Sequence, residues 1–208
     1  MIREKPLIGI VDYQAGNLRS VQKALEKFGA QVLISSEKQH LLNADAIVFP
    51  GQGACDSSMQ NLKKKSLDEV LIRLINDQVP FLGVCLGLQL LLENSEEGIE
   101  DCLGVIKGNV KKFPSGLKIP HMGWNQVEWR IDHPVFKNIP NYQNFYFVHS
   151  YYADINDDSL IAGVTQYGQE FSSAVCFDNV VATQFHPEKS GAWGLQIYSN
   201  FIEFVIGV

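Results

Sequence analysis

The sequence predicts an α/β fold with a central mixed, mostly parallel sheet, flanked by helices and extended by an antiparallel strand region. In the first half, short apolar runs alternate with helical patterns, as a parallel sheet covered on both faces requires. Beyond about residue 104, strand patterns separated by turn residues replace that alternation. A chain of 208 residues, 46% hydrophobic and 19% charged, suits one globular core. We therefore expect a single domain over residues 1–208.

Each predicted element of the first half has a local signal. Asn17 is a candidate N-cap for a first helix that Gly29 closes, and Ser66 with Glu69 forms a capping box ahead of another helix. Pro80 ends that second helix before a buried strand. The predicted strands are 7–11, 32–34, 46–49 and 81–84, and the predicted helices are 18–28, 67–75 and 86–93.

The second half is predicted to consist mainly of strands. Gly168-Gln169 and Asp178-Asn179 supply turn chemistry between the last three of them, which indicates an antiparallel meander. Apolar residues on one side of the final segment predict a closing helix at 192–205. The predicted strands are 105–110, 126–129, 144–151, 160–167, 170–177 and 180–185.

Composition and charge argue against several classes of protein. The net charge is −6 and no long basic run occurs, which disfavours binding to nucleic acid. The densest apolar stretch, 79–92, is too short and too interrupted to cross a bilayer, and the start does not read as a secretory signal, so we expect a cytoplasmic protein. The four cysteines form no C-x-x-C pair and have no histidine at zinc-finger spacing, so we expect neither a metal site nor disulfides.

The first chemical signal is Gly83-Val84-Cys85-Leu86-Gly87, a G-x-C-x-G sequence between a predicted strand and a predicted helix. Such a tight turn projects the cysteine side chain above the sheet. The helix that begins at Leu86 offers free N–H groups, which favour a thiolate and can hold an oxyanion. By itself the pentapeptide equally fits a small buried cysteine between turn glycines, so a nucleophile requires further support.

A base for that sulfur lies in Gln184-Phe185-His186-Pro187-Glu188, at the end of a predicted strand. Side chains two apart in extended backbone share a face, so Glu188 is expected to contact one nitrogen of His186 and leave the other for Cys85. The glycine-rich segment at residues 49–53, Phe-Pro-Gly-Gln-Gly, also follows a strand. Its backbone N–H groups can face a ligand, which predicts a second oxyanion donor.

These three segments, in this order, resemble the glycine-rich loop, nucleophile elbow and H-x-E sequence of the class I glutamine amidotransferases. Further segments make the chain similar, over essentially its whole length, to the glutaminase subunits of imidazole glycerol phosphate synthases. They are Asp12-Tyr13 with Gly16-Asn17-Leu18, Pro120-His121-Met122-Gly123-Trp124-Asn125, Tyr146-Phe147-Val148-His149-Ser150-Tyr151, and the extension of the H-x-E segment to Lys189-Ser190. The resemblance implies an amidotransferase fold and, without a cofactor, hydrolysis of glutamine to glutamate and ammonia by Cys85, His186 and Glu188.

The resemblance also implies roles for other residues and a partner. The oxyanion hole would comprise Gln52, Gly53 and Leu86, and the glutamine pocket would comprise Gln89, Glu97, His149, Ser150 and Tyr151. The ammonia would pass to a (β/α)₈-barrel cyclase subunit that makes imidazole glycerol phosphate and aminoimidazole carboxamide ribonucleotide in histidine biosynthesis. Residues facing this partner would be Asn17, Trp124, Tyr146 and Lys189. From sequence alone, Gln89 equally fits a polar interruption of a buried helix, and both aromatic residues fit a core.

One position departs from the family pattern. The oxyanion loop commonly reads P-G-V-G, whereas Gln52 replaces the valine here, and its amide can form hydrogen bonds that valine cannot. Because the loop keeps its glycines, we expect glutamine hydrolysis to depend on the partner and its nucleotide, as in many members of the family.

Three alternatives remain open from the sequence. The glutaminase subunits of anthranilate, GMP, carbamoyl phosphate and pyridoxal phosphate synthases share the triad, although the segment at 120–125 and the small size argue against them. A γ-glutamyl peptidase shares the cysteine and histidine chemistry, but it would be expected to carry a secretory signal, and the start of this sequence does not read as one. A non-catalytic module that regulates a barrel partner would not need the intact triad. The remaining cysteines, Cys55, Cys102 and Cys176, are expected to be buried small residues.

Overall fold

The computed structural model of the chain describes residues 5–14 and 16–207. Its strands are β1 (Leu7–Val11), β2 (Gln31–Ser35), β3 (Ala46–Gly51), β4 (Phe81–Cys85), β5 (Asn94–Ser95), β6 (Gly108–Lys112), β7 (His121–Trp129), β8 (Gln143–His149), β9 (Tyr151–Ile155), β10 (Ile161–Tyr167), β11 (Gln169–Phe177) and β12 (Val180–Thr183). Its α-helices are α1 (Leu18–Lys27), α2 (Lys38–Leu42), α3 (Cys55–Lys64), α4 (Leu67–Asn76), α5 (Leu86–Gln89) and α6 (Gly191–Ile206). Short 3₁₀ turns connect some of them.

The sheet joins a parallel half to an antiparallel half. Along the order β2-β1-β3-β4-β12 all neighbours are parallel, and along β12-β11-β10-β7-β8 all are antiparallel. Strand β9 pairs with β11 and β6, and the short β5 pairs with β6 beside this path. The predicted mixed sheet with an antiparallel addition is therefore confirmed, and β12 is the strand at which the direction changes.

The two faces of the parallel half bury different side chains. Ile47 and Phe49 belong to one apolar cluster with residues of α2, α3 and α4, whereas Ala46 and Val48 belong to another with residues of α1 and α6. Because successive side chains of a strand point to opposite faces, this alternation requires helices on both sides. In the described part of the chain, no helix has the length and apolarity needed to cross a membrane.

Some predicted elements of the first half are wrong in detail. Helices α2 and α3 lie where no helix was predicted. Ser66 has a left-handed conformation with φ 46° and makes no side-chain cap, so the capping box does not form. The predicted helix at 86–93 ends at Gln89, because the backbone N–H groups of residues 103–105 take the carbonyls of residues 90–92 instead.

The second half differs from prediction where the chain changes partner strand. The segment predicted as one strand at 144–151 is divided at Ser150, because β8 pairs with β7 whereas β9 pairs with β6. Strand β7 begins earlier than predicted, at His121, and β6 runs from Gly108 to Lys112 rather than over 105–110. The meander of β10, β11 and β12 and the closing helix are confirmed.

Candidate active site

The strand-to-helix turn at Cys85 has the strained geometry expected of a nucleophile elbow. Cys85 has φ 56° and ψ −108°, a conformation that non-glycine residues rarely adopt. A Cβ atom on Gly83 would lie 2.9 Å from the Cβ of Ala182, and one on Gly87 would collide with the carbonyl oxygen of Phe49. The flanking glycines are therefore needed because α5 approaches the neighbouring strands closely.

The order of the strands brings the three predicted segments to one edge of the sheet. Strand β4 lies between β3 and β12, with Gly51 opposite Cys85 on one side and Thr183 opposite Val84 on the other. All three strands are parallel, so the segments that follow them meet at the carboxyl end of the sheet. The glycine-rich loop and His186 consequently flank Cys85.

His186 and Glu188 form the predicted pair. The distance between His186 Nδ1 and Glu188 Oε1 is 2.9 Å, and each side chain is only 2% exposed. The pair forms across a 3₁₀ turn at Pro187–Lys189, not in the extended backbone that the sequence predicted. The other ring nitrogen of His186, Nε2, is buried and makes no hydrogen bond to any described residue. This nitrogen is available to exchange a proton.

The surroundings of His186 favour its protonated form. Burial lowers the pKa of His186, but the Cys85 sulfur and the Glu188 carboxylate outweigh burial and raise it to about 10. Burial raises the pKa of Glu188, but the hydrogen bond and charge of His186 outweigh that and hold it below its usual range. The two residues therefore form a buried ion pair at neutral pH.

Two further side chains hold the Glu188 carboxylate. Asn17 Nδ2 donates to Oε1 at 2.7 Å, and the Tyr198 hydroxyl donates to Oε2 at 3.4 Å. Asn17 stands at the N-cap position of α1 but makes no side-chain cap, since its amide is used here. Tyr198 was not among the predicted site residues. Its available signal was a tyrosine on the buried face of α6, because a buried phenol requires a hydrogen-bond partner.

A cavity of about 410 Å³ opens beside Cys85. It unites Cys85 and His186 with every residue predicted for the oxyanion hole and the glutamine pocket, and with Lys189. The lining residues are Gln52, Gly53, Cys85, Leu86, Gln89, Glu97, Pro120, Val148, His149, Ser150, Tyr151, His186 and Lys189. Glu188 lies behind His186, outside the lining. No group of three or more potential metal-ligating side chains occurs among residues 5–14 and 16–207.

A buried amide connects the cavity floor to the nucleophile. Gln89 Nε2 donates to the carbonyl of Tyr151 at 2.8 Å and to Gln184 Oε1 at 3.0 Å. Gln184, fully buried, in turn donates from Nε2 to the Cys85 sulfur at 3.7 Å. Gln184 belongs to the predicted H-x-E segment but was not itself among the predicted site residues. A polar residue in a buried strand end next to His186 was the signal that could have found it.

The cavity lining also includes His149, which pairs with His121, and both histidines are neutral. His149 Nε2 lies 2.9 Å from His121 Nδ1, and His149 Nδ1 lies 2.8 Å from the carbonyl oxygen of Tyr151. Burial lowers the pKa of His149 to about 3 and that of His121 to about 4. Glu97, also on the cavity wall, accepts a hydrogen bond from the backbone N–H of Cys55 at 2.8 Å through Oε2.

Three of the predicted partner-facing residues, Trp124, Tyr146 and Lys189, form one group, and Lys189 also lines the cavity. Trp124 is 57% exposed and follows Met122, 61% exposed, on the same face of β7. The Trp124 and Tyr146 rings contact each other edge to face with centroids 6.0 Å apart, and Lys189 Nζ lies 5.7 Å from the centre of the Tyr146 ring. An exposed aromatic group of this kind is typical of a protein interface, whereas a core position is wrong for Trp124.

The cysteines other than Cys85 only partly match expectation. Cys55 and Cys176 are buried, but Cys102 is partly exposed, so its predicted burial is wrong. Its sulfur lies 3.4 Å from the sulfur of Cys55.

A family model and curated relatives each match nearly the whole chain. The family model for glutamine amidotransferase class-I matches residues 9–204. The imidazole glycerol phosphate synthase subunit HisH of Methanocaldococcus jannaschii is 51% identical, with 96% of this chain and 100% of that protein covered. The subunit of the same name from Dehalococcoides mccartyi is 44% identical, with 97% and 98% covered.

Solved structures share the fold at lower identity. PurLQS from Thermotoga maritima aligns with a TM-score of 0.76 at 18% identity, covering 96% of this chain and 99% of that chain. A glutamine amidotransferase from Thermotoga maritima aligns with a TM-score of 0.68 at 16% identity, covering 89% of this chain and 77% of that chain. These two similarities support the fold alone.

Proposed function

Since the chain belongs to the class I glutamine amidotransferase family, we propose that it is the glutaminase subunit of an imidazole glycerol phosphate synthase. It hydrolyses glutamine and supplies the ammonia to a cyclase subunit. The observation that carries the proposal is the buried His186–Glu188 ion pair: Nε2 of His186 makes no hydrogen bond to a described residue, and His186 lines the same cavity as Cys85. Relatives that match over nearly their full length support the assignment to this subunit.

Acylation begins with the Cys85 sulfur. It attacks the carbon of the substrate's side-chain amide, and the resulting oxyanion is held by the N–H of Leu86 and by N–H groups of Gln52 and Gly53. His186, protonated through its raised pKa, gives its Nε2 proton to the departing nitrogen. The C–N bond breaks, ammonia leaves, and a glutamyl thioester remains on Cys85.

Deacylation uses the same histidine in the opposite direction. Once Cys85 is acylated, its sulfur no longer carries the negative charge that helps to raise the pKa of His186. Neutral His186 then takes a proton from water while the water oxygen attacks the thioester carbon. The S–C bond breaks, glutamate leaves, and the Cys85–His186 pair is restored. Glu188, held by Asn17 and Tyr198, keeps the imidazole oriented throughout.

The cavity walls suggest how glutamine is oriented. Glu97 uses Oε2 for the Cys55 N–H, which leaves Oε1 for the substrate's ammonium group. The fixed amide of Gln89 and the segment of His149, Ser150 and Tyr151 line the remainder of the cavity. Neutral His149 suits a binding wall, because a charged imidazole there would repel both the substrate ammonium and protonated His186.

The ammonia needs an acceptor site on another protein. We propose that exposed Met122 and Trp124, with half-buried Tyr146, contact a (β/α)₈-barrel cyclase, and that Lys189 connects this surface to the cavity, because it lines the cavity and contacts the Tyr146 ring. Asn17 contacts Glu188 directly, so a partner that touches the start of α1 would act on the triad through one hydrogen bond. Residues 1–208 act as one domain in this proposal.

The deciding experiment uses Cys85→Ala in complex with the cyclase. We expect glutamine-dependent synthesis to fall to background, while synthesis from added ammonium salt stays at the level of the unaltered complex. Cys176→Ser is the matched control, since Cys176 lies away from the cavity, and it should retain both reactions. Persistence of the glutamine-dependent reaction in Cys85→Ala would contradict the proposal.

A second measurement addresses control of the reaction by the partner. Gln52 Oε1 lies 2.8 Å from the place where a Cβ on Gly16 would stand, so the Gln52 amide packs against the segment that leads to Asn17. We expect ammonia release to be slow for the isolated protein and faster with cyclase and nucleotide. Equal rates in both conditions would refute this dependence.

A further inference from the structure

Two cysteines that are distant in sequence meet outside the catalytic triad. The sulfurs of Cys55 and Cys102 are 3.4 Å apart although 47 residues separate them. Cys55 is the first residue of α3 and is 2% exposed, whereas Cys102 is partly exposed in the segment that follows Glu97. Neither residue takes part in the mechanism above.

The backbone around the two sulfurs is held in place by other contacts. The Cys55 N–H donates to Glu97 at 2.8 Å, and Asp56 Oδ1 accepts from the N–H groups of Ile99 at 2.9 Å and Glu100 at 3.0 Å. The start of α3 and the 97–102 segment therefore keep a fixed spacing. Since a disulfide bond is about 2.05 Å long, the sulfurs need only approach by somewhat more than about 1 Å.

The pair is also polarised. A hydrogen bond from Cys102 lowers the pKa of Cys55, and the same contact raises the pKa of Cys102. Burial and the charges of Glu97 and Asp56 oppose this lowering of the Cys55 pKa but do not outweigh it. Cys55 is thus the nucleophile of the pair, and Cys102 is the thiol that can resolve it.

We propose that Cys55 and Cys102 are a modification site, at which a peroxide converts the two thiols into a reversible disulfide. The Cys55 sulfur attacks one oxygen of hydrogen peroxide and the O–O bond breaks, which gives a sulfenic acid and, after protonation, one water. The Cys102 sulfur then attacks the Cys55 sulfur, the S–O bond breaks, and a second water leaves with the Cys102 proton. The thiols lose two electrons in total, and the peroxide gains them.

The bridge would join two parts of the glutamine cavity. Cys55 follows closely after Gly53 of the oxyanion loop, and its N–H already holds Glu97. A covalent link at this point restrains α3 against the Glu97 segment and removes freedom from the unfolded chain, which stabilises the folded state. The four cysteines are free thiols in the structure, as the sequence predicts, and the proposed disulfide forms only on oxidation. This inference does not rest on the proposed function, because thiol counting detects the bridge whatever reaction the protein catalyses.

The test treats the full-length protein with hydrogen peroxide, alkylates the remaining thiols after denaturation and maps the peptides. We expect the peptides containing Cys55 and Cys102 to be linked and lighter by two hydrogen atoms, and dithiothreitol to separate them. The melting temperature should rise on oxidation by an amount on the order of 5 °C. A Cys85→Ala, Cys176→Ser background leaves only the two cysteines of interest and removes competing oxidation at the catalytic sulfur.

Single variants give the matched controls. Cys55→Ser and Cys102→Ser should each abolish both the linked peptides and the rise in melting temperature, whereas Cys176→Ser should keep both. If peroxide leaves Cys55 and Cys102 free for alkylation in the unaltered protein, or if Cys102 becomes linked to another cysteine, the proposal is wrong.

Discussion

Two histidines that line the same cavity have opposite protonation states. His186 and His149 are both buried, and burial lowers the pKa of each, yet the pKa of His186 is raised to about 10 and that of His149 is lowered to about 3. His186 faces the Glu188 carboxylate and the Cys85 sulfur, whereas His149 faces a second neutral histidine and a backbone carbonyl. The charge of the partner, and not the depth of burial, therefore decides which side of the cavity performs proton transfer.

Removing the charge of Glu188 should have the largest effect on the difference in pKa between His186 and His149. Glu188→Gln should lower the pKa of His186 toward that of His149, because burial then acts with one fewer opposing charge. Loss of the charged orienting partner should reduce the turnover of glutamine by about 10³-fold. Steady-state ammonia release by the complex with cyclase measures the rate, and NMR titration of the imidazole measures the pKa.

Glu203→Gln is the matched control for that variant. Glu203 is exposed on α6, the helix that also carries Tyr198. Its amide variant should retain the full rate of glutamine hydrolysis. A Glu188→Gln protein with an unchanged rate and an unchanged imidazole titration would contradict the role of the carboxylate.

A substitution of Gln184, whose side-chain amide donates to the Cys85 sulfur, should reduce glutamine turnover by less than Glu188→Gln does. Gln184→Met keeps the volume but removes the N–H that reaches Cys85 and the oxygen that holds Gln89. We expect glutamine turnover to fall by about 10-fold to 100-fold, since leaving a buried polar group without its hydrogen-bond partner costs about 1–3 kcal/mol. Iodoacetamide should alkylate Cys85 more slowly, because Gln184 no longer holds the sulfur in position.

Gln166→Met is the control for the same chemical change at an exposed site. The side-chain amide of Gln166 donates to Glu170, and its backbone carbonyl, which the substitution keeps, accepts from Asn125. It should leave both the turnover and the alkylation of Cys85 unaltered. An unchanged alkylation rate in Gln184→Met, with intact folding, would show that the amide does not act on the sulfur.

The contrast also predicts how stability depends on pH. The pKa of His186 in the folded protein lies above its ordinary value of 6.5. Its stabilising contribution to the free energy of unfolding is therefore complete below pH 6.5 and is lost as the pH rises toward 10. His149, His121 and His133 have lowered pKa values, so their unfolded forms bind more protons and stability falls as the pH drops below 6.5. Together, these four histidines predict that the free energy of unfolding is greatest near pH 6.5.

Urea unfolding between pH 4 and pH 10 measures this profile. His186→Asn should flatten the alkaline side and leave the part of the acidic side that arises from the other histidines, while it also removes the contribution of Glu188, whose lowered pKa depends on His186. A profile in which His186→Asn alters the acidic side instead would reverse our assignment of the two regions.

The smallest expected effect concerns the second contact of the Glu188 carboxylate. Tyr198→Phe removes a hydroxyl that lies 3.4 Å from Oε2, a long hydrogen bond, while His186 and Asn17 still hold Oε1. We expect glutamine turnover to fall by about 2-fold to 5-fold, within the range of one neutral hydrogen bond. Tyr142→Phe, at a tyrosine that is 55% exposed, should have no effect. A fall in turnover as large as that of Glu188→Gln would mean that Tyr198 is an essential part of the site.

Local backbone chemistry was enough to predict several features of the site and the fold. The glycines around Cys85, the H-x-E segment and the loop at 49–53 each mark a strand end that only certain residues can form, and the alternation of helix and strand patterns distinguished the two halves of the sheet. Local signals gave wrong element boundaries where hydrogen bonds to distant parts of the chain set the boundary. Examples are the division of the predicted strand at Ser150 and the end of α5 at Gln89.

Contacts between side chains that are distant along the chain could not be predicted from local patterns. Gln184 reaches a sulfur 99 residues away, Asn17 reaches a carboxylate 171 residues away, and Cys55 meets a second thiol 47 residues away. The charge of His186 depends on such contacts as well. Spacing along a chain fixes the face on which a side chain lies, but proximity between elements is fixed by strand order and register, and these are properties of the whole sheet.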